Sequence, residues 1–293
     1  MRSVQNSARW KIIIAMVIFG TIGVFRRYIP LSSSMIAMAR GLIGVVFLAV
    51  LLAIKRTPIS WRAVKGNLPV LLASGILMGF NWILLFEAYN YTSVATATLC
   101  YYMAPIFVTL AAPVFLKERL TGRKALLSLV AFVGMILVSD IFRVGIANAS
   151  ELRGIALGLV AAAFYASVVL LNKKLRDISA YDRTIVQLAS AAVVLVPYVL
   201  LTENVAEAAF SVPSVVLLLV VGILHTGVAY ALYFGGMGHL PAQTVAIFSY
   251  IDPVLAVLLS ALILHEGMSF LVLVGGVLIL GATLVGELWK EKG

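Results

Sequence analysis

Long apolar runs separated by short polar stretches extend along nearly the whole chain. The length of each run is close to that of a membrane-spanning α-helix, which needs about 20 residues to cross the hydrocarbon core of a bilayer. Glycine and proline interrupt several runs, which membrane helices tolerate better than soluble helices do. The pattern predicts ten transmembrane helices, at 11–29, 33–54, 68–89, 94–116, 123–141, 153–171, 181–201, 213–234, 241–263 and 268–288.

Composition supports this prediction. The 293 residues are 62% hydrophobic and 12% charged, whereas a soluble protein averages about 25% charged residues. So few charges cannot cover the surface of a water-facing globule, and we expect an all-α integral membrane protein. A net charge of +10 would suit a protein that binds nucleic acid. In a membrane protein it indicates instead that basic residues are concentrated in the cytoplasmic loops. We therefore expect the lipid bilayer, and no nucleic acid, as a partner.

The basic residues divide unevenly between the two sides of the predicted bundle. With the N-terminus in the cytoplasm, nearly all Lys and Arg fall in cytoplasmic loops and tails. The opposite loops hold only Arg26, Arg27, Arg143 and Arg153. By the positive-inside rule, the N- and C-termini are both expected in the cytoplasm.

The chain repeats itself at a constant offset. Tyr102 aligns with Tyr250, Pro105 with Pro253, and Glu118 with Glu266, within a match that continues without a gap into the last span of each half. The sequence thus predicts two repeats of five helices, residues 1–148 and 149–293. An odd number of spans places the copies in opposite orientations, an inverted-topology repeat of the kind found in secondary transporters.

These motifs resemble those of the EamA-type family in the drug/metabolite transporter superfamily. The resemblance rests on "AMVIFGTIGVFRR", on "AMARGLIG" around Arg40, and on the mid-span prolines followed by "FLKERL" and "ILHEGM". The second copy departs from the first, with Gln187 near the position of Arg40 and no basic residue after Glu266. The resemblance implies a bacterial inner-membrane secondary transporter, and it implies export of amino acids or other metabolites.

Asp252 is the strongest candidate for binding or coupling. A charged group in hydrocarbon costs about 2.5–3.5 kcal/mol at mid-helix, so one that persists calls for an explanation. Pro253 removes a backbone donor and disfavours α geometry at Asp252, which would aim the carboxylate into a cavity. The residue would then bind a substrate amine or carry a coupling proton. The alternative is a structural carboxylate bonded to a neighbouring helix.

Arg40, Glu87 and His225 are the other candidates among the ionisable residues of the predicted spans. Arg40 would hold a substrate carboxylate, snorkel to the outer face, or pair with an acid such as Glu87, and the pairing is the favoured interpretation. Glu87 is expected at the outer rim of its span. His225 is either a neutral histidine bonded to another helix or a group that responds to pH.

Aromatic and amide side chains form a second set of candidates. They would line a cavity for a flat or apolar solute, or serve as packing and interface anchors. Tyr102 and Tyr250 rank first because they occupy equivalent positions before Pro105 and Pro253, the predicted hinges. The remaining candidates are Asn81, Trp82, Tyr165 and Tyr230. Glu118 and Glu266 are expected at opposite faces as loop or gate contacts.

Small residues are expected at the moving interfaces, because they let membrane helices approach closely. The stretches are "GTIG" at 20–23, "ASGILMG" at 73–79, "ASAA" at 189–192 and the pair Gly275 and Gly276.

The sequence also indicates what the protein is not. It has no Walker A motif, no HExxH and no Cys/His cluster at metal spacing, so we expect no cofactor, no metal and no enzyme activity. The leading hypothesis is alternating-access export of amino acids or related zwitterionic or amphipathic solutes, with proton coupling open. The alternative is a flippase or transporter for a lipid-linked or nucleotide-linked head group. The expected partner is a small-molecule substrate, and the expected state is a monomer, with a homodimer left open.

Overall fold

The computed structural model describes residues 2–115, 117, 120–138, 149–208, 210–237, 239–240 and 248–288. Every regular element within these ranges is helical. The helices are α1 (Arg2–Arg27), α2 (Ser33–Ile54), α3 (Trp61–Tyr91), α4 (Val94–Tyr101), α5 (Ala104–Phe115), α6 (Gly122–Val138), α7 (Ala149–Asn172), α8 (Ala180–Thr202), α9 (Val212–Val220), α10 (Ala229–Met237), α11 (Ile251–Leu262) and α12 (Phe270–Leu288). A 3-10 turn spans Val205–Glu207, and a π-helix, Val221–Val228, joins α9 to α10.

Several helices cross a membrane by length and composition. Among the described residues, seven helical stretches are long and apolar enough to do so, and three shorter apolar helices accompany them at Ala125–Val138, Ile251–Leu262 and Phe270–Val285. The chain is thus a multi-pass membrane protein. Helices α1 and α3 begin earlier than the apolar pattern predicted, at Arg2 and Trp61, because polar residues extend them beyond their apolar runs.

Serine side chains start four of the helices. The hydroxyls of Ser32, Ser93, Ser179 and Ser211 each accept a hydrogen bond from the backbone N–H three residues later. Such an N-cap satisfies one of the free donors in the first helical turn. The caps fix where α2, α4, α8 and α9 begin, and therefore the height of the side chains that follow.

The predicted span at 94–116 is broken in the middle, as expected beside Tyr102. Helix α4 ends at Tyr101 and α5 begins at Ala104, because Pro105 has no N–H to donate and restricts the residue before it. In the second half Tyr250 forms a turn, and α11 begins directly after it. Residues 241–247, the start of the predicted span 241–263, lie outside the described residues, as do residues 139–148.

The predicted span at 213–234 differs from the expected single α-helix. Residues Val221–Val228 form a π-helix, which the apolar periodicity did not predict. A π-turn accommodates one extra residue and rotates the face that the following helix presents. The aromatic residues of α10 owe their direction to this insertion.

The helix contacts made by one half of the chain correspond to those made by the other half. Helix α3 of the first half packs on α7 and α8 of the second half, and α4 and α5 also pack on α7. With the two halves exchanged, the corresponding contacts recur: the π-helix and α10 pack on α1, the π-helix packs on α2, and α11 packs on α1. Two further contacts between the halves join α6 to α12 and α2 to α8.

Close helix contacts occur where small residues were predicted. A Cβ added at Gly20 would lie 2.8 Å from the Asp252 carbonyl oxygen, and one at Gly75 would lie 2.5 Å from that of Gln187. A Cβ on Gly275 would lie 2.5 Å from the Gly134 carbonyl oxygen. These contacts confirm that the small-residue stretches lie at helix interfaces.

Candidate functional site

Asp252 lies in the first turn of α11, directly after the break at Tyr250. Its carboxylate accepts a hydrogen bond of 3.0 Å from the Tyr102 hydroxyl, at the break between α4 and α5. The two interrupted spans therefore meet through these side chains. The positive end of the α11 dipole also favours a carboxylate at this position. The side chain of Asp252 is only half-buried, which leaves it accessible to a ligand.

Arg40 is buried in the middle of the bundle, with 5% of its surface exposed. Its guanidinium carbon lies 4.2 Å from the centre of the Trp82 ring, and its Nε donates a hydrogen bond of 3.1 Å to Thr226 Oγ1. This stacking places the cation on an aromatic face, a favourable arrangement for arginine. Arg40 does not snorkel.

The expected pairing of Arg40 with Glu87 is wrong. Glu266 forms an ion pair with Arg27. Glu87 instead accepts hydrogen bonds from Ser33 (2.7 Å) and Asn90 (3.0 Å). Glu87 is in the penultimate turn of α3, about one and a half turns after Trp82, on which Arg40 stacks. This separation keeps the carboxylate of Glu87 apart from the guanidinium of Arg40.

A set of aromatic and amide side chains surrounds Asp252 and Arg40. Asn81 donates to the Ala161 carbonyl at 2.6 Å and accepts from the Tyr101 hydroxyl at 3.4 Å. The rings of Tyr101 and Tyr165 lie 5.4 Å apart. Tyr165 remains 43% exposed. This exposure between helices indicates accessible space beside the rings.

Side-chain contacts join these groups into one site. The ring centres of Tyr101 and Tyr102 lie 6.2 Å apart, and Tyr102 donates to Asp252. Tyr230 packs against the apolar cluster that contains Trp82, the ring on which Arg40 stacks. We call the set the central polar cluster, consisting of Arg40, Asn81, Trp82, Tyr101, Tyr102, Tyr165, Tyr230 and Asp252. It contains a cation and an acid on different helices, and each contacts an aromatic side chain of the set.

His225 is fully buried in the π-helix and bonded on both ring nitrogens. Nε2 lies 2.9 Å from Thr21 Oγ1, and Nδ1 lies 3.4 Å from the Val220 carbonyl oxygen. The ring also contacts Phe25, with 4.9 Å between ring centres. These contacts join α1 to the π-helix and favour the structural interpretation of His225.

Tyr250 and Tyr102 lie in different environments. Tyr102 contacts Asp252, whereas Tyr250 lines an apolar cavity of ≈380 Å³ between α11 and α12. Leu99, Val257 and Gly276 are among the other lining residues. The equivalent positions in the two repeats therefore have different surroundings.

Glu266 connects several helices at one end of the bundle. One carboxylate oxygen lies 2.5 Å from Arg27 Nη2, and the other accepts from the Val94 N–H at 2.8 Å and from Ser260 Oγ at 2.5 Å. We call this set the Glu266 network, consisting of Arg27, Val94, Ser260 and Glu266. It joins α1, α4 and α11. Glu118, its predicted counterpart, lies outside the described residues.

The same end carries two further contacts between helices. Ser34 donates to Glu203, and Thr92 donates to Glu151. They link α2 to the end of α8, and the loop after α3 to the start of α7. Side-chain hydrogen bonds therefore connect several helices at this end of the bundle.

Sequence reasoning missed three residues near the cluster. Thr226 contacts Arg40, and Thr21 contacts His225. Arg183 in α8 had been counted as a loop charge, but its guanidinium carbon lies 5.8 Å from the centre of the Phe234 ring. The threonines are neutral residues inside apolar runs and gave no charge signal. The predicted span 181–201 already includes Arg183, which was the available signal that it lies on a helix.

The described residues hold no group of three or more His, Cys, Asp or Glu side chains that could bind a metal ion. The chemistry available in the central polar cluster is ion pairing, hydrogen bonding and aromatic stacking, all of which are means of binding a solute.

Comparison with known proteins connects this chain to transport. The EamA-like transporter family matches the chain over residues 7–140 and 152–286. An uncharacterised transporter, YxxF, of Bacillus subtilis (strain 168) is 30% identical over 250 residues, covering 85% of this chain and 79% of that protein. An uncharacterised transporter of Archaeoglobus fulgidus is 27% identical, covering 82% of each chain.

A solved crystal structure shares the fold. It superposes with a TM-score of 0.64 over 96% of each chain at 17% sequence identity. The two family matches together extend over most of the sequence. This chain is therefore a multi-pass membrane transporter that belongs to the EamA-like transporter family of the drug/metabolite transporter superfamily.

Proposed function

We propose that the protein exports small solutes bearing both a carboxylate and an amine, of which amino acids are the simplest. The observation that carries the proposal is the central polar cluster, in which Arg40 stacks on Trp82 and Asp252 accepts a hydrogen bond from Tyr102. Arg40 matches a solute carboxylate and Asp252 matches its amine. The rings of Trp82, Tyr101 and Tyr165 suit the apolar part of such a solute.

The proposed transport cycle is alternating access between two inverted repeats. The exchanged helix neighbours support it, since the contacts of α3 with α7 correspond to those of the π-helix and α10 with α1. The two interrupted spans meet at Tyr102 and Asp252. Transporters of this kind bind solutes beside broken helices near the bilayer midplane. Each repeat would supply one gate.

The proposed orientation places the Glu266 network on the outer side and both termini in the cytoplasm of the bacterial inner membrane. The excess of basic residues in the loops opposite the Glu266 network supports it. The structure would then be closed to the outside, with the cluster reached from the cytoplasm, where a solute for export is collected. We propose a monomer as the transport unit. If transport is coupled to protons, Asp252 is the residue that would carry them.

The test is transport by purified protein in liposomes. Radiolabelled amino acids are supplied singly, and accumulation is compared between wild type, Asp252→Asn and the control Glu207→Gln, an exposed acid in the 3-10 turn. We expect the wild type and the control to transport at least one amino acid, and Asp252→Asn to lose most of that flux. Equal flux in all three proteins would remove Asp252 from the mechanism. Absence of flux in the wild type for every amino acid would refute the substrate class.

A second candidate function is movement of a lipid-linked or nucleotide-linked head group. The observation in its favour is the apolar cavity of ≈380 Å³ between α11 and α12, which would admit an acyl chain beside Tyr250. The test is a dithionite quenching assay with fluorescent phospholipid in proteoliposomes. Lipid movement that Val254→Trp abolishes, with no amino acid transport, would favour this candidate over the first.

A further inference from the structure

The π-helix presents Thr226 in an unusual way. Its hydroxyl donates a hydrogen bond of 3.3 Å to the Val221 carbonyl, five residues earlier. In an α-helix a threonine makes such a bond to the carbonyl four residues earlier. The π-turn therefore sets the direction of this hydroxyl. π-turns are rare within helices and are frequent at functional sites.

The hydroxyl oxygen of Thr226 accepts a hydrogen bond from Arg40. Because its proton is used on Val221, the oxygen is left as an acceptor, and it receives Arg40 Nε at 3.1 Å. Thr226 is fully buried. A water molecule therefore cannot replace this acceptor at little cost if the hydroxyl is removed.

Close packing holds the two residues in register. A Cβ on Gly44 would lie 2.6 Å from Thr226 Cγ2, and one on Gly222 would lie 2.5 Å from the Ile43 Cβ. Helix α2 and the π-helix thus touch at Gly44 and Gly222, close to the Arg40–Thr226 contact. This close approach leaves Thr226 little room to move away from α2.

The contact leaves one edge of the guanidinium available. Nε is bonded to Thr226 and one face rests on Trp82, while no carboxylate among the described residues forms an ion pair with Arg40. The two Nη groups are the edge that binds a carboxylate in a bidentate manner. We propose that Thr226 is a positioning residue that, through the π-turn, orients Arg40 so that its Nη edge receives the carboxylate of the transported solute. This inference rests on the proposed function.

The first part of the test needs no ligand. Replacing Trp10, Trp61 and Trp289 with phenylalanine leaves Trp82 as the sole tryptophan, and its fluorescence then reports the stacked guanidinium. We expect Thr226→Val to shift the emission of Trp82 in the same direction as Arg40→Lys. Thr226→Ser and the buried control Thr283→Val, whose hydroxyl bonds within α12, are expected to match the parent. Unchanged emission in Thr226→Val would overturn the positioning role.

The second part uses three named probes. L-phenylalanine carries both charges, 3-phenylpropionate lacks the amine, and 2-phenylethylamine lacks the carboxylate. Binding is followed by thermal stabilisation of the detergent-purified protein, since a ligand that binds the native state raises its melting temperature. We expect Thr226→Val to lower the affinity for the two probes that carry a carboxylate about tenfold, which is the effect of one lost hydrogen bond to a charged group. Thr226→Ser should restore the affinity, and 2-phenylethylamine should bind equally to both variants.

The outcomes separate the two proposals. If Thr226→Val weakens all three probes equally, Thr226 has a general structural role and the inference fails. If no probe binds the wild type but Thr226→Val still shifts Trp82, the positioning contact stands and the amino-acid substrate fails. If neither effect is seen, both proposals fail.

Discussion

Asp252 and Arg40 are the two charges on which the proposed site depends, and each is held differently. Asp252 receives one hydroxyl, from Tyr102, and stays half-buried. Arg40 is buried, stacked and bonded through Nε. The acid therefore remains open to an incoming amine or proton, whereas the base is fixed before a solute arrives. A fixed guanidinium loses less freedom on binding, which favours affinity.

The Tyr102 hydroxyl should matter for this arrangement. Tyr102→Phe removes the donor to Asp252 while keeping the ring, and a hydrogen bond to a charged group is worth about 1.5–3 kcal/mol. We expect amino acid flux in proteoliposomes to fall about tenfold. Tyr28→Phe, at an exposed tyrosine after α1, serves as the control. Flux of Tyr102→Phe equal to that of the control would show that Asp252 acts without this bond.

At the scale of the helices, the interruptions carry more information than the regular turns. The break between α4 and α5 places Tyr102 opposite Asp252, and the π-helix places Thr226 opposite Arg40. The serine caps set the starts of α2, which carries Arg40, and of α4, which leads to Tyr102. The small residues then allow the helices to approach within contact of each other's backbones.

The contact between α6 and α12 offers a test of this packing. A Cβ on Gly275 would lie 2.5 Å from the Gly134 carbonyl oxygen, whereas one on Gly281, in the same helix, would meet nothing within 4 Å. Overpacking of a close contact costs about 1–3 kcal/mol. We expect Gly275→Ala to lower the melting temperature in detergent and Gly281→Ala to leave it unchanged or raise it. A similar melting temperature for both variants would contradict the contact.

At the scale of the whole molecule, side-chain contacts connect the helices at one end of the bundle. The Glu266 network, together with Ser34–Glu203 and Thr92–Glu151, joins α1, α2, α4, α7, α8 and α11 at that end. The ion pair of Arg27 and Glu266 is only partly buried, so its contribution is small enough for the contact to break in a transport cycle. This is a property that a gate requires.

Accessibility of the central polar cluster tests the gate. In a Cys100→Ala background, which removes the sole cysteine, Tyr165→Cys places a thiol at an accessible position of the cluster. We expect a membrane-impermeant maleimide to label it from the side of the termini. Adding Glu266→Gln should increase labelling from the opposite side, because the ion pair that fastens α1 to α11 is lost.

The control for this measurement is Glu207→Gln, which removes an exposed acid outside the network. Labelling from the opposite side that is equal with and without Glu266→Gln would show that the Glu266 network is not a gate. Labelling from both sides in the parent protein would contradict the closed state.

Much of the fold was predictable from the sequence because the bilayer constrains it strongly. Apolar runs of sufficient length specify helices, and the residue types at Pro105 and at the small-residue stretches specify a break and close contacts. The motifs around Arg40 and Glu266 pointed to the family. Asp252 and Tyr102 could be selected by charge and by repeat position before their contact was seen.

The sequence by itself determined the membrane class, the helical composition, the repeated pattern and the identity of Arg40 and Asp252 as costly charges, since all of these follow from local composition and spacing. Only the tertiary structure decided the partners of these charges. It replaced the expected Arg40–Glu87 pair with Trp82 and Thr226, and it placed Tyr250 beside an apolar cavity. The physical reason is that partners across helices depend on helix rotation and depth, and a single π-turn changes that rotation without any change in the apolar pattern.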